Sequence, residues 1–194
     1  MDEQVLRAMA RWPNVPAVHG WLRLDRRGGW HLIDRNQPGF DEERDGAGSP
    51  ITSPPIVDFI ERNYTHDAEG RWYWQNGSQR VFVDLDAAPL VLRVFGEGAT
   101  ARLVTHAGDP VERVDAGWIG PQGEILLLTN LGPAVVHDLD IGALELEEGE
   151  GSEDGDLAAT TLVFGGDRLT LTPCTYPAET LGFVRRPRPA DQAG

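Results

Sequence analysis

Paired carboxylates recur in two Asp-x-Asp motifs, Asp84-Leu-Asp86 and Asp138-Leu-Asp140. Residues two apart on a β-strand lie on the same face, so each motif would present its carboxylates side by side. Such a pair could bind a hard cation or exchange protons with a substrate. His137 adds an imidazole next to the second motif. One hypothesis is therefore a hydrolase-like enzyme that uses Asp84, Asp86, Asp138 or His137.

The rest of the sequence gives little support to catalysis or metal binding. No third ligand recurs at a fixed distance from the acidic motifs, and Asp is common near strand ends because it favours turns. The five histidines form no i, i+2 or i, i+4 pair, and the single cysteine, Cys174, lies in no known nucleophile signature. The sequence also lacks a phosphate-binding glycine loop and a Gly-x-Ser-x-Gly motif. We therefore expect no enzyme activity, no catalytic residues, no metal site and no cofactor.

The densest group of aromatic and polar side chains lies in the stretch Gly70–Val94. Flat aromatic faces beside a guanidinium and amides suit a planar or anionic small molecule. The candidate ligand-binding residues of this stretch are Trp72, Trp74, Asn76 and Arg80. The alternative interpretation is structural: the tryptophans face the core and Arg80 packs along the edge of a sheet.

The charge balance argues against several classes of partner. The chain of 194 residues has a net charge of −14, and its basic side chains are all arginines. An acidic surface with arginines scattered along the sequence repels nucleic-acid phosphates and anionic lipids. The N-terminal residues do not resemble a signal peptide, and no apolar run approaches the ~20 residues of a membrane helix. We expect a cytoplasmic protein that binds neither nucleic acid nor membranes.

The hydrophobic pattern predicts an α+β protein that is mostly β. Alternating apolar residues flank short turns rich in glycine and asparagine, which is typical of antiparallel hairpins. Two of these hairpins are predicted around Gly28 and Gly77. Helical spacing of apolar residues after Ser53 predicts one clear helix near 54–64. The polar stretch 36–50 has no periodicity and predicts a mobile surface insertion.

An internal similarity bears on the domain organisation. Asn76–Leu92 aligns without a gap with Asn130–Leu146, and the acidic motifs fall at the same offsets. One interpretation is a strand–turn–strand unit used twice in two related lobes. The other is that any two β-hairpins share such features. We assign residues 1–95 to an N-terminal lobe, 96–184 to a C-terminal β lobe and 185–194 to a disordered tail.

Two stretches carry a family resemblance, WPNVPAVHGWLRLDRRGGW at Trp12–Trp30 and QNGSQRVFVDL at Gln75–Leu85. On these motifs, which lie within residues 12–95, the chain resembles an uncharacterised proteobacterial family, one of the domains of unknown function. The order Gly-x-Trp, Ile-x-x-Pro helix, Asp-x-x-Gly-Arg-Trp/Tyr, strand and Asp-x-x-Pro is also similar to a second uncharacterised bacterial family. The linker 35–50 is long for that order.

The second family has a two-lobed fold with repeated β motifs, and a role in ligand sensing or signalling has been suggested for it. Neither family brings established catalytic residues to this chain. The aromatic–arginine group of Gly70–Val94, the internal similarity and the absence of catalytic motifs predict a non-enzymatic module that binds a small molecule or a protein partner and has a regulatory role.

Overall fold

A computed structural model of the protein describes residues 1–96, 100–148, 160–164 and 167–189. The chain divides into two compact units. Unit 1 comprises Met1–Ala87 and the C-terminal segment that begins at Phe183, and unit 2 comprises Ala88–Gly182. The division therefore falls at other positions than the predicted boundary between 95 and 96, and unit 1 is discontinuous in sequence.

Unit 1 is built on a sheet of six strands in the described part of the chain. The strands are β1 (Val18–Leu24), β2 (Trp30–Leu32), β3 (Ser49–Pro50), β4 (Tyr64–His66), β5 (Trp72–Asn76) and β6 (Gln79–Leu85). The helices are α1 (Glu3–Arg11), α2 (Glu42–Asp45) and α3 (Pro54–Arg62). The strand order is β3-β2-β1-β6-β5-β4. Neighbouring strands are antiparallel except β1 and β6, which are parallel.

Unit 2 contains eight strands among its described residues. They are β7 (Leu90–Phe95), β8 (Arg102–Thr105), β9 (Val114–Ile119), β10 (Ile125–Thr129), β11 (Gly132–Val136), β12 (Glu145–Glu148), β13 (Thr160–Phe164) and β14 (Asp167–Pro173). A 3-10 helix spans Asp138–Ala143, and α4 spans Pro177–Leu181. The order is β12-β13-β14-β9-β10-β11-β7-β8, with β7 parallel to β11 and β9 parallel to β14.

The predicted class, α+β and mostly β in two lobes, is confirmed by these two sheets. The helix predicted near 54–64 is α3, which starts with two prolines and buries Ile60. The hairpins predicted around Gly28 and Gly77 are also present as β1–β2 and β5–β6. Both glycines have positive φ angles, 86° and 58°, a conformation that disfavours other residues. Local sequence signals therefore give these elements correctly.

The prediction that the stretch 36–50 is a mobile insertion is wrong, because the structure forms regular elements there. It contains α2 and β3, and Asp41 caps α2 by accepting a hydrogen bond from the backbone N of Arg44 at 3.0 Å. Strand β3 pairs with β2, where Pro50 lies opposite His31. A four-residue helix with no buried residue leaves no periodic pattern in the sequence.

The predicted disordered tail, 185–194, also needs correction over its described residues, 185–189. The backbone N of Leu85 donates to the carbonyl of Arg185 at 2.8 Å, and Pro187 is buried. Arg188 forms an ion pair with Asp84 at 2.9 Å. These long-range contacts order a segment that is polar and aperiodic in sequence. Residues 190–194 lie outside the described residues.

The two sheets share a pattern of five strands. In unit 1 this pattern is β2-β1-β6-β5-β4, and in unit 2 it is β8-β7-β11-β10-β9. In each unit the first strand of the pattern in chain order, β1 or β7, is antiparallel to the second and parallel to the fifth. Each first strand also carries an arginine paired with an aspartate that follows the fifth strand. Arg23 donates to Asp86 at 2.8 Å, and Arg93 donates to Asp140 at 2.5 Å.

The Arg93–Asp140 pair gives a testable pH dependence. The hydrogen bond from Arg93 holds the pKa of the Asp140 carboxyl below its usual value, against the opposing effect of desolvation. Because the folded-state pKa is lowered, the stabilisation is present above the unfolded pKa of about 3.9 and is lost as pH falls through the folded value. Carboxyl NMR should show Asp140 titrating below the ordinary range in the wild type and nearer to it in Arg93→Gln. An unchanged midpoint would contradict this assignment.

Candidate functional site

Unit 1 contains a cleft of about 660 Å³ next to the start of β1. We name it the arginine cleft. It is bounded by β1, by α2 and by the C-terminal segment. Its lining residues are Ala17, Val18, His19, Gly20, Trp21, Arg35, Glu42, Arg186, Arg188 and Pro189.

Strand β1 contributes to the arginine cleft through an irregularity at Gly20. The register of β1 against β6 shifts between Val18 and Leu22, and Gly20 has a φ of 75°. A glycine in this conformation is typical of a β-bulge, which bends a strand and redirects its polar groups. Here the carbonyl of Gly20 accepts a hydrogen bond from Nε of Arg35 at 2.6 Å.

Arg35 is held by contacts on several sides. Both Nη atoms donate to Glu42, and the Nη2–Oε1 distance is 3.2 Å. Nη2 also lies 3.8 Å from Oδ2 of Asp84, and Cζ lies 5.3 Å from the ring centroid of Phe40. With the bond to Gly20, these contacts fix the position and the plane of the guanidinium. A fixed planar guanidinium is suited to bidentate recognition of an anion.

Asp84 is the buried carboxylate that connects two of the arginines. It lies on β6, and 9% of its side chain is exposed. Nη1 of Arg188 donates to Oδ1 at 2.9 Å, and Nη2 donates to Oδ2 at 3.4 Å. Asp84 thus anchors the C-terminal segment to the sheet and places Arg188 beside Arg35.

Arg186 differs from the other two arginines of the cleft. It is exposed, and it forms no ion pair with any residue in the ranges that the structure describes. The hydrogen bond from Arg35, and then the charges of Arg35, Arg186 and Arg188, lower the pKa of Glu42. Three guanidiniums and the carboxylates of Glu42 and Asp84 leave one positive charge in excess. The chain as a whole carries −14, so the cleft is a local exception to its acidic character.

The tryptophans predicted to bind a ligand lie on β5, which β6 separates from β1, and neither of them lines the arginine cleft. Trp72 is 5% exposed, and its ring centroid lies 4.9 Å from that of Tyr64. Trp74 is half-buried and packs edge-on against Phe59 at 5.8 Å. The structure therefore gives both tryptophans aromatic packing partners within unit 1.

Arg80 and Asn76, the other two predicted ligand residues, are exposed on the same hairpin. The guanidinium of Arg80 lies 4.8 Å from the ring centroid of Tyr73. Because neighbouring side chains on a strand point to opposite faces, Tyr73 faces away from Trp72 and Trp74. The hairpin therefore pairs Arg80 with Tyr73 and does not bring it together with the two tryptophans.

The two acidic motifs lie in different units, and three of their four aspartates are in ion pairs with arginines. Asp84 pairs with Arg188, and the carboxylates after the fifth strands pair with Arg23 and Arg93, as described above. Nδ1 of His137 accepts a hydrogen bond from the backbone N of Leu139 at 3.2 Å, which caps the 3-10 helix. Within the described ranges, no group of three or more His, Cys, Asp or Glu side chains is arranged to hold a metal ion.

A family model described as "Protein of unknown function (DUF2946)", under the name DUF2944, matches residues 1–188. The chain belongs to DUF2944. The match confirms the predicted membership of a family of unknown function, and it includes every residue of the arginine cleft except Pro189. No curated protein matches this DUF2944 chain.

Two solved structures from proteobacteria are similar to the DUF2944 chain. A DUF1285 family protein from Silicibacter pomeroyi DSS-3 is 21% identical, with a TM-score of 0.51 over 81% of this chain and 83% of that chain. A DUF1285 family protein from Shewanella baltica OS155 is 12% identical, with a TM-score of 0.42 over 63% of this chain and 87% of that chain. The first likeness shows that the DUF2944 chain shares the fold of that DUF1285 protein. No helix in the described part of the chain is long and apolar enough to cross a membrane.

None of the lining residues of the arginine cleft was a candidate in the sequence analysis, which treated the arginines of this DUF2944 chain as scattered. In the folded unit, Arg35 converges with Arg186 and Arg188 from the other end of the chain. Two features of the sequence indicate parts of this cleft. An isolated glycine inside a strand pattern, such as Gly20, indicates a bulge, and three arginines in the four residues 185–188 form a local positive run in an acidic chain.

Proposed function

We propose that this protein is a non-enzymatic module that binds a small anion in the arginine cleft and has a regulatory role in the cytoplasm. The observation that carries the proposal is the convergence of Arg35, Arg186 and Arg188 on one cleft in a chain of strongly negative charge. Hydrogen bonds between guanidiniums and anions are stronger than those between neutral groups and select for shape. An anion would also balance the excess positive charge of the cleft.

The arginine cleft belongs to unit 1 alone, and its place in the architecture of that unit supports a role in binding. Unit 2 repeats the five-strand pattern of unit 1, and we propose that the two units derive from one repeated element. Strand β1 bounds the arginine cleft and belongs to that pattern, but α2 and the C-terminal segment from Phe183, which complete the cleft, lie outside it. The cleft is therefore an addition to the shared pattern and is not required by it.

The contacts of the acidic motifs favour binding over the alternative, a hydrolase. A general base must have an oxygen or nitrogen available to the proton that it abstracts. Asp86 and Asp140 each accept two hydrogen bonds from an arginine, and Arg188 donates to both oxygens of Asp84. Each of these carboxylates is engaged in an ion pair within its own unit.

Calorimetric titration at low ionic strength with glutarate and with inorganic phosphate tests the proposal. We expect binding, and we expect Arg186→Gln to weaken it about tenfold, as the loss of one charge-assisted hydrogen bond does. Because Arg186 is exposed, its replacement should change the free energy of unfolding by about 0.5 kcal/mol or less. Absence of binding by both anions would refute the proposal.

Two further variants locate the site. Arg102→Gln removes an exposed arginine from β8 in unit 2 and should leave anion affinity unchanged. Arg80→Gln removes the arginine of the hairpin site that the sequence analysis predicts. A loss of affinity in Arg80→Gln, with Arg186→Gln unaffected, would move the site from the arginine cleft to the β5–β6 hairpin.

A further inference from the structure

We infer that Glu42 is an internal competitor for Arg35, and that the ligand of the arginine cleft is a small dicarboxylate that displaces it. This inference rests on the proposed function and names the chemistry of its ligand. Glu42 accepts hydrogen bonds from both Nη atoms of Arg35, one to each carboxylate oxygen. The fork of Arg35 therefore already binds a carboxylate in the two-bond geometry that a ligand would use.

Arg35 keeps its position when Glu42 leaves. Its Nε donates to the carbonyl of Gly20 at 2.6 Å, its Cζ lies over the ring of Phe40, and Asp84 lies 3.8 Å from its Nη2. None of these contacts involves α2. Displacing Glu42 would thus expose a guanidinium that is already oriented.

Glu42 itself is weakly held. Its side chain is 56% exposed, against 26% for Arg35. It stands on α2, a helix of four residues with none buried. Exposed ion pairs contribute little because water competes for both partners. A ligand that contacts Arg186 or Arg188 as well as Arg35 forms more charge-assisted hydrogen bonds in the cleft than Glu42 does, and can therefore displace it.

Charge balance indicates how many carboxylates the ligand carries. With Glu42 in the cleft, the three arginines and the two acids leave one positive charge in excess. With Glu42 displaced, only Asp84 remains against Arg35, Arg186 and Arg188, and two positive charges are in excess. A dicarboxylate neutralises both, one carboxylate taking the fork of Arg35 and the other reaching the two arginines of the C-terminal segment.

The test compares two neighbouring glutamates by titration with glutarate. Glu42→Gln removes the competitor, and Glu43→Gln removes the same charge from the same helix at an exposed residue that does not line the cleft. We expect glutarate to bind about three- to tenfold more tightly to Glu42→Gln than to the wild type, and the affinity of Glu43→Gln to change less than about twofold. Propionate, with one carboxylate, should bind more weakly than glutarate.

Several outcomes would overturn the inference. Weaker binding to Glu42→Gln would make Glu42 a positioning residue for Arg35, and equal tightening in both variants would reduce the effect to long-range charge. Inorganic phosphate binding more tightly than glutarate would overturn the carboxylate assignment. In each of these cases the wild-type protein still binds an anion, so the proposed function stands. If neither glutarate nor phosphate binds to any of the three proteins, both this inference and the proposed function are refuted.

Discussion

Asp84→Ala is expected to lower the free energy of unfolding by about 2–4 kcal/mol. The side chain of Asp84 is 9% exposed, and its removal leaves the guanidiniums of Arg188 and Arg35 close together without their shared counter-ion. Breaking a fully buried ion pair costs about 3–5 kcal/mol. The expected loss is smaller than this because 34% of the Arg188 side chain is exposed and water partly solvates its charge. Urea unfolding monitored in unit 1 measures the loss.

A matched control is available in the second acidic motif. Asp138 stands at the same offset as Asp84 in the similar segments, but 49% of its side chain is exposed. Asp138→Ala should therefore change the free energy of unfolding by about 0.5 kcal/mol or less. Amide exchange at Leu85, which donates to the carbonyl of Arg185, should accelerate in Asp84→Ala only. Equal losses in the two variants would contradict the assigned role of Asp84.

Gly20→Ala is expected to damage both stability and anion binding. A Cβ at residue 20 would lie 2.9 Å from Nε of Arg35, and the φ of 75° is unfavourable for alanine. The backbone conformation alone costs about 1–2 kcal/mol. Moving Arg35 off the carbonyl of Gly20 adds the loss of a charge-assisted hydrogen bond, which brings the total to about 2–4 kcal/mol. Glutarate affinity should fall about tenfold or more.

Gly39 separates the two effects of this substitution. Its φ is also 75°, but a Cβ there would have no neighbour within 4 Å. Gly39→Ala should show the backbone cost of about 1–2 kcal/mol without any change in glutarate affinity. If Gly39→Ala weakened glutarate binding as much as Gly20→Ala, the contact between Gly20 and Arg35 would not be the cause.

The elements that the sequence predicts well are those set by local chemistry. Two prolines after Ser53 and the spacing of the apolar residues that follow define α3. The glycines at 28 and 77 define two hairpins because turns of this kind require positive φ angles. The alternation of side chains along β5 also predicts that Trp72 and Trp74 lie on the face opposite to Tyr73. It does not predict which of the two faces is buried.

The arginine cleft depends on contacts that no local pattern encodes. The parallel pairing of β1 with β6 joins segments that are distant in sequence, and it brings Asp84 within reach of Arg35. The sequence identifies Asp84 as a candidate for acid–base chemistry or cation binding. Its role in the structure is set by Arg188, which the sequence analysis places in a disordered tail. A carboxylate becomes a base or a counter-ion according to its neighbours, and here those neighbours come from both ends of the chain.

The discontinuity of unit 1 has a consequence for biosynthesis. The segment that begins at Phe183 follows all of unit 2 in the chain, so a ribosome completes unit 2 before it supplies Arg186 and Arg188. A nascent chain can therefore form the sheet of unit 2 while unit 1 still lacks the C-terminal segment that contacts β6. The arginine cleft is complete only after Arg186 and Arg188 have been synthesised. Anion binding therefore distinguishes a chain that includes these two arginines from a shorter nascent chain that lacks them.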